Sequence, residues 1–291
     1  MKNYRETYIR RAEIAQLIIL NHLYQQRGSR DLIFQGGTAI RWCYGGNRFS
    51  EDLDFVTPLS IEKVWPILEA ALKGMERVMI SHFGMGSFTT TEKQSRKDSL
   101  KCFLNFHPES AREKFSVKFE IEGLVPKQLP ESKNHVLSGL PPVAYLIADG
   151  SFRVPRPNAV VVAETPEEIL SDKVRSLLER RYLKGRDLFD VWYLCTILKT
   201  ATNIEIIERK FKMYREPFIA RRSIDFFAVL TKENKASMTT AISQDFSRFL
   251  PPDVFEVQRK ESFDAYINAV QSLFKKLKTK GVRLPCHLLR S

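Results

Sequence analysis

The chain has 291 residues, enough for one large domain or two modest ones with a sizeable core. Its 43% hydrophobic and 27% charged residues are ordinary for a globular protein, and no apolar run reaches the roughly eighteen residues that a membrane-spanning helix needs. A formal net charge of +12 suits nucleic acid, nucleotide phosphates or an acidic protein partner, and does not choose among them.

The first element is an amphipathic helix over about Tyr8 to Arg27, stopped by Gly28. Its apolar stretch, Ile14 to Leu20, lacks a following small-residue cleavage site, so it does not read as a signal peptide. Asp31 to Gln35 reads as a short strand that runs into Gly36-Gly37. Thr38 is placed to cap a helix from Ala39 to about Tyr44, which the pair Gly45-Gly46 ends. Leu53 to Val56 is a second strand with Asp52 at its start. A helix follows from about Ile61 to Lys73, and Pro66 should kink it or mark its first turn.

Beyond Glu76 the pattern turns to strands, with candidates at Ser87–Thr91, Leu100–Phe106 and Phe115–Ile121. In the last, Phe115, Val117, Phe119 and Ile121 face one way and Lys118, Glu120 and Glu122 the other. Residues 123–158 are rich in proline and read as loops with a strand or two, before a strand at Val160–Ala163. At Thr165 three helix-start signals agree: Thr165 as N-cap, Pro166 in the first turn and Glu168 in the capping-box position. From there the chain reads helical, with helices over about 166–183, 187–199, 203–214, 221–229, 234–246 and 261–278. The expected fold class is α+β: a mixed-sheet core over residues 1–163, then a helical domain over 164–291. Cys43, Cys102, Cys195 and Cys286 are scattered without metal spacing, which points away from a zinc site or disulfide scaffold and fits a reducing cytoplasm.

Chemistry concentrates in GGTAIRWCYGGNRFSEDLDF, residues 36–55. Asp52 and Asp54, at i and i+2 on a strand, point the same way and can share divalent ions that also touch a triphosphate. Oxygen ligands favour Mg²⁺, with a two-ion site as the natural form for this chemistry. Gly36 and Gly37 allow close approach of the phosphates, and their amides with Thr38 can receive anionic oxygens at a helix start. Arg48 and Ser50 flank the carboxylate strand and could bind phosphate, orient Asp52 or simply brace the loop. Glu120 is the choice for a third carboxylate, with Glu122 on the same face as the alternative. Taken singly, a DxD is often surface acid and a GG pair a turn; the ordered set of strand, GG, helix and DxD strand is more specific.

These residues resemble the AbiEii (AbiEii/AbiGii-type) nucleotidyltransferase toxins, including the MenT toxins, of the DNA polymerase β-like superfamily. The matching positions are Gly36, Gly37, Arg48, Ser50, Asp52 and Asp54, with a Gly37-to-Asp52 gap slightly longer than usual in that family. A second stretch, EILSDKVRSLLERRYLKGRDLFDVWYL at 168–194, is similar to the family's lysine helix and R-D-x-x-D segment. The resemblance covers about 31–56 and 165–195. It implies a polymerase β-like core, an NTP co-substrate, Lys173 in the active site, and Arg180 or Arg181, Arg186, Asp187 and Asp190 as the second segment. It also implies transfer of a nucleoside monophosphate, a separate antitoxin protein, and tRNA or other RNA as the first-ranked acceptor.

Read physically, Lys173, Leu177 and Arg180 would form one helix stripe, able to reach phosphates or balance the carboxylates. Asp187 and Asp190 share a helix face; Asp190 could act as a base or order the site, and Arg186 with both could equally be a structural ion-pair network. Lys173, Arg175, Arg180, Arg181, Lys184 and Arg186 form one basic cluster, and Lys275, Lys276, Lys278, Lys280, Arg283 and Arg290 a second. Either can follow an RNA backbone by charge, while the second also suits a solvated tail. A protein-modifying transferase, or a non-catalytic RNA- or protein-binding module on the same fold, are the competing readings.

Overall fold

The computed structural model describes residues 5–96, 98–110 and 114–285, with the backbone course alone for 92–96. Cys286 and Arg290 lie outside the described residues. The chain forms two compact units, Glu6–Glu164 and the residues from Thr165 on.

The first unit opens with α1 (Glu6–Leu23), then β1 (Ile33–Gln35), α2 (Gly36–Cys43), β2 (Asp52–Thr57), α3 (Ile61–Leu72) and α4 (Met75–Phe83). It continues with β3 (Gly86–Arg96), β4 (Ser99–Pro108), β5 (Phe115–Gly123), β6 (Ser132–Val136), α5 (Pro141–Ala148) and β7 (Val160–Glu164). Among the described residues these strands make one mixed sheet in the order β3-β4-β5-β2-β1-β7-β6. β2 runs antiparallel to β1 and parallel to β5, so a chain excursion through α3, α4, β3 and β4 separates two strands that are neighbours in space.

The buried face of the sheet is aromatic. Phe55 of β2 lies between Phe34 of β1 and Phe119 of β5, with ring centroids 5.3 and 4.8 Å away. Strand alternation then places Asp52 and Asp54, and Glu120 of β5, on the opposite face. α1 packs against β5, α3 and α4, burying Leu17, Ile18 and Leu20.

Three details depart from the local sequence signals. α2 starts at Gly36 with Gln35 as its N-cap, so Thr38 lies inside the helix and does not cap it. α3 runs through Pro66, which sits beyond its first turn and leaves the carbonyl one turn back without its usual amide. Pro141 and Pro142, read as breakers, instead form the first turn of α5, where a missing N–H is harmless.

The second unit comprises α6 (Pro166–Glu179), α7 (Gly185–Trp192) passing into a π-helical turn at Tyr193–Ile197, α8 (Ile204–Met213), α9 (Ile224–Ala228), α10 (Lys232–Phe249), α11 (Pro252–Lys260) and α12 (Asp264–Thr279). The Thr165 hydroxyl accepts from the Glu168 amide at 3.4 Å, as the capping signals require. Phe189, Phe246 and Tyr266 join α7, α10 and α12 in an aromatic core. α6 ends at Glu179, so Arg180 is its C-cap with extended backbone and does not continue the Lys173–Leu177 stripe. No helix among the described residues is long and apolar enough to cross a membrane.

Candidate active site

The parallel ladder of β2 and β5 sets Asp54 beside Glu120 and Asp52 beside Lys118. Residues paired across a ladder point to the same face, so three carboxylates converge. One oxygen from each of Asp52, Asp54 and Glu120 lies within 4.8 Å of the other two. Glu122 falls one strand step further on, opposite Val56, and is not part of this group.

Glu120 is braced by two cations, Lys118 Nζ at 2.7 Å and Lys101 Nζ at 3.0 Å. Burial opposes its charge, but the two ammonium groups outweigh that and hold the carboxyl below the usual carboxylate range. Lys118 sits two residues before Glu120 on the same strand face and could have been noticed in the sequence. Lys101 is brought in only by the β4–β5 register, which pairs it with Glu120.

Gly36 packs directly on Asp54. Its φ is +77°, and a Cβ there would stand 2.8 Å from Asp54 Oδ2. Glycine is therefore required twice, by backbone conformation and by the space the carboxylate occupies. The first-turn N–H groups of α2, at Gly36 and Gly37, start at this point. Thr38 is fully buried, and its hydroxyl donates to the carbonyl oxygen of Asp52. It ties α2 to the carboxylate strand and presents no hydroxyl to a ligand, in contrast to its expected contact with phosphate.

The loop before β2 is held from α1. Fully buried Gln16 donates to the carbonyl of Ser50 at 2.5 Å and accepts from Trp42 Nε1 at 3.1 Å. Arg41 pairs with Glu13 at 2.7 Å and donates to the carbonyl of Gly46 at 2.9 Å. Arg48 and Ser50 are both buried, and Arg48 Nη1 donates to the carbonyl of Phe49 at 2.9 Å. Sequence reasoning missed Gln16: a lone glutamine within an apolar helix stretch is its only signal.

In the second unit, Lys173 Nζ lies 3.0 Å from Asp187 Oδ1 and 2.8 Å from Asp190 Oδ2. Arg180 Nε reaches Asp187 Oδ2 at 3.1 Å. Asp187 and Asp190 are 1% and 0% exposed. Burial works against the Asp187 charge, but Arg180, Lys173 and Arg186 hold its carboxyl well below the usual carboxylate range. Asp190 is thus a fully buried partner of the Lys173 ammonium. The Arg186 amide donates to Asp245 at 3.1 Å, which fixes the start of α7 on α10. A second buried network was not foreseen: Lys210 lies 2.7 Å from Asp172 and 3.1 Å from Glu168, and Arg209 and Tyr214 complete it. Glu168 and Asp172 share a face of α6 at i and i+4, which was visible, but their partners come from α8 and its end.

The profile of the family described as nucleotidyl transferase AbiEii toxin of a type IV toxin–antitoxin system matches residues 18–269. The chain belongs to the AbiEii family. As a member it is a nucleotidyltransferase, and both compact units fall largely within the matched span. Two solved structures share the fold. One, from H. pylori and assigned there as a nucleotidyltransferase, is 18% identical, with 95% of this chain and 98% of that chain covered at a TM-score of 0.56. The other, JHP933 from Helicobacter pylori, is 17% identical, with 96% of each chain covered at a TM-score of 0.55. A comparison with curated proteins returned no match.

A divalent cation suits the AbiEii chain's carboxylate group. The donors are all oxygen, they converge from two strands, and Gly36 leaves the Asp54 carboxylate uncovered by a side chain.

Proposed function

We propose that the chain transfers a nucleoside monophosphate from an NTP to a hydroxyl at the 3′ end of an RNA, with tRNA ranked first, and releases pyrophosphate. The observation that carries this reading is the convergence of Asp52, Asp54 and Glu120 beside the glycine start of α2. The acceptor oxygen bonds to the α-phosphorus, the bond to the β-phosphate bridging oxygen breaks, and the acceptor proton passes to solvent.

Asp52, Asp54 and Glu120 would hold Mg²⁺, which supplies neutralisation of phosphate charge and a more acidic acceptor hydroxyl. The Gly36 and Gly37 amides at the α2 terminus receive phosphate oxygens. Lys118 and Lys101 keep Glu120 ionised and aimed. Gln16, Thr38 and Arg48 fix the strand and loop that carry the aspartates. In the helical unit Asp187 and Asp190 fix the Lys173 ammonium in one position. Family membership supports a toxin role, controlled by a separate antitoxin protein in the cytoplasm.

The test incubates the protein with total tRNA and each α-labelled NTP, with and without Mg²⁺, beside a variant carrying Asp52→Ala and Asp54→Ala. Label should enter RNA only with the wild type and the metal. Label in protein alone would move the acceptor to a polypeptide, and label from the variant would displace the site.

A further inference from the structure

The turn between α6 and α7, Arg180-Arg181-Tyr182-Leu183-Lys184, is pinned from both sides. Upstream, Arg222 donates to the carbonyls of Leu177 at 3.1 Å, Arg180 at 2.5 Å and Arg181 at 2.9 Å. The backbone amides of Arg221 and Arg222 also donate to the Leu178 carbonyl, at 2.8 and 3.0 Å. Downstream, Gly185 is pressed on α10: a Cβ there would stand 2.4 Å from the Ala241 carbonyl oxygen and from Ile242 Cα. The Arg186 amide is held by Asp245.

What this clamp presents is an aromatic ring and cations. Tyr182 is 65% exposed, and the Arg181 guanidinium lies 5.2 Å from its ring centroid. Arg181 and Lys184 have no acidic partner among the described residues. Residues 180–186 hold four basic side chains and no acid before the buried Asp187. An exposed ring adds nothing to core packing, yet three carbonyls and a glycine contact order the backbone beneath it. Rigid aromatic faces flanked by cations are how proteins hold unpaired bases, with the ring under the base and the cations at the backbone phosphates.

We propose that this turn is a stacking platform for single-stranded polynucleotide, with Tyr182 under a base and Arg181 and Lys184 at adjacent phosphates. It deepens the RNA-acceptor reading and rests on it: the strand held here is the acceptor strand. An acidic polypeptide would use the same cations but has no need of the ring face.

Fluorescence anisotropy of a short labelled single-stranded RNA on the full chain tests this, without NTP. Tyr182→Ala weakens binding roughly tenfold, while Tyr182→Phe stays within about twofold, because stacking uses the face and not the hydroxyl. Arg181→Ala and Lys184→Ala each lower the salt slope of log K by about 0.7. In the incorporation assay Tyr182→Ala raises KM for RNA and leaves kcat for bound RNA near wild type. Tight RNA binding that is unchanged by Tyr182→Ala overturns the platform and leaves the acceptor reading standing. Absence of both RNA binding and RNA labelling overturns both. Polyglutamate binding with the same dependence on Tyr182 overturns the platform in favour of a protein partner. Thermal melts of each variant, expected to match wild type at so exposed a turn, exclude unfolding as the cause.

Discussion

Asp54 and Glu120 face each other across one rung of the parallel β2–β5 ladder, and their carboxylates meet Asp52 in a group within 4.8 Å. Like charges so close repel unless a cation or a proton intervenes. Most of the expected behaviour of the site follows from that.

Mg²⁺ should raise the unfolding midpoint of the wild type and leave the Asp52→Ala, Asp54→Ala variant unmoved. At ten times the dissociation constant the gain is about 1.4 kcal/mol. A calorimetric scan with and without metal reads both proteins, and an equal metal response in the variant would place the ion elsewhere.

Glu120→Gln should abolish nucleotide incorporation, and Glu122→Gln should leave it within about twofold. The two residues alternate alike on β5, but only Glu120 stands opposite Asp54. Initial rates for the pair decide it; a loss in Glu122→Gln alone would reverse the assignment.

Gly36→Ala should destabilise the first unit by about 1–3 kcal/mol, the usual cost of a left-handed backbone for a residue with a Cβ. It should also weaken Mg²⁺ binding, because the new methyl has to push Asp54 Oδ2 from 2.8 Å. Urea melts and metal titration measure the two effects separately. A stable variant with normal metal affinity would contradict the contact.

Lys173→Met should cost about 3–5 kcal/mol, since it leaves Asp187 and Asp190 buried without their shared cation. Adding Asp187→Asn and Asp190→Asn to it should recover much of the loss. Additive destabilisation across the three changes, read from denaturation midpoints, would rule out a coupled network.

Acid should expose the same network. Asp187 in the fold titrates well below its unfolded value of about 3.9, so its contribution is fully present above about pH 4 and is lost as pH falls toward the folded value. The stability gap between wild type and Asp187→Asn should therefore narrow as pH drops below about 4. A gap that stays constant from pH 7 to pH 3 would mean that the carboxylate is not held in its charged form.

Elements with a buried stripe or a capping signal were legible in the sequence: α1, the β5 alternation and the Thr165 start of α6. α11 was not, because none of its residues is buried and it leaves no apolar period to read. α4 buries only Met75 and Met79, and α5 hides behind two prolines that read as loop. The site divided in the same way. The two aspartates and the glycine pair could be written down from local pattern, which put Glu120 first but left Glu122 open, whereas Thr38 was given a ligand contact that its complete burial precludes.

By itself the sequence determined what depends on near neighbours: that Asp52 and Asp54 share a face, that a helix begins at Thr165, and that the motifs match the AbiEii family. Strand alternation and helix capping are set within a few residues, so they survive without a fold. Only the tertiary structure decided that Glu120 joins the aspartates with Lys101 and Lys118 behind it, and that Lys173 is shared by Asp187 and Asp190. Ladder register and buried ion pairs are long-range choices, made by which apolar faces pack together, and no local spacing encodes them.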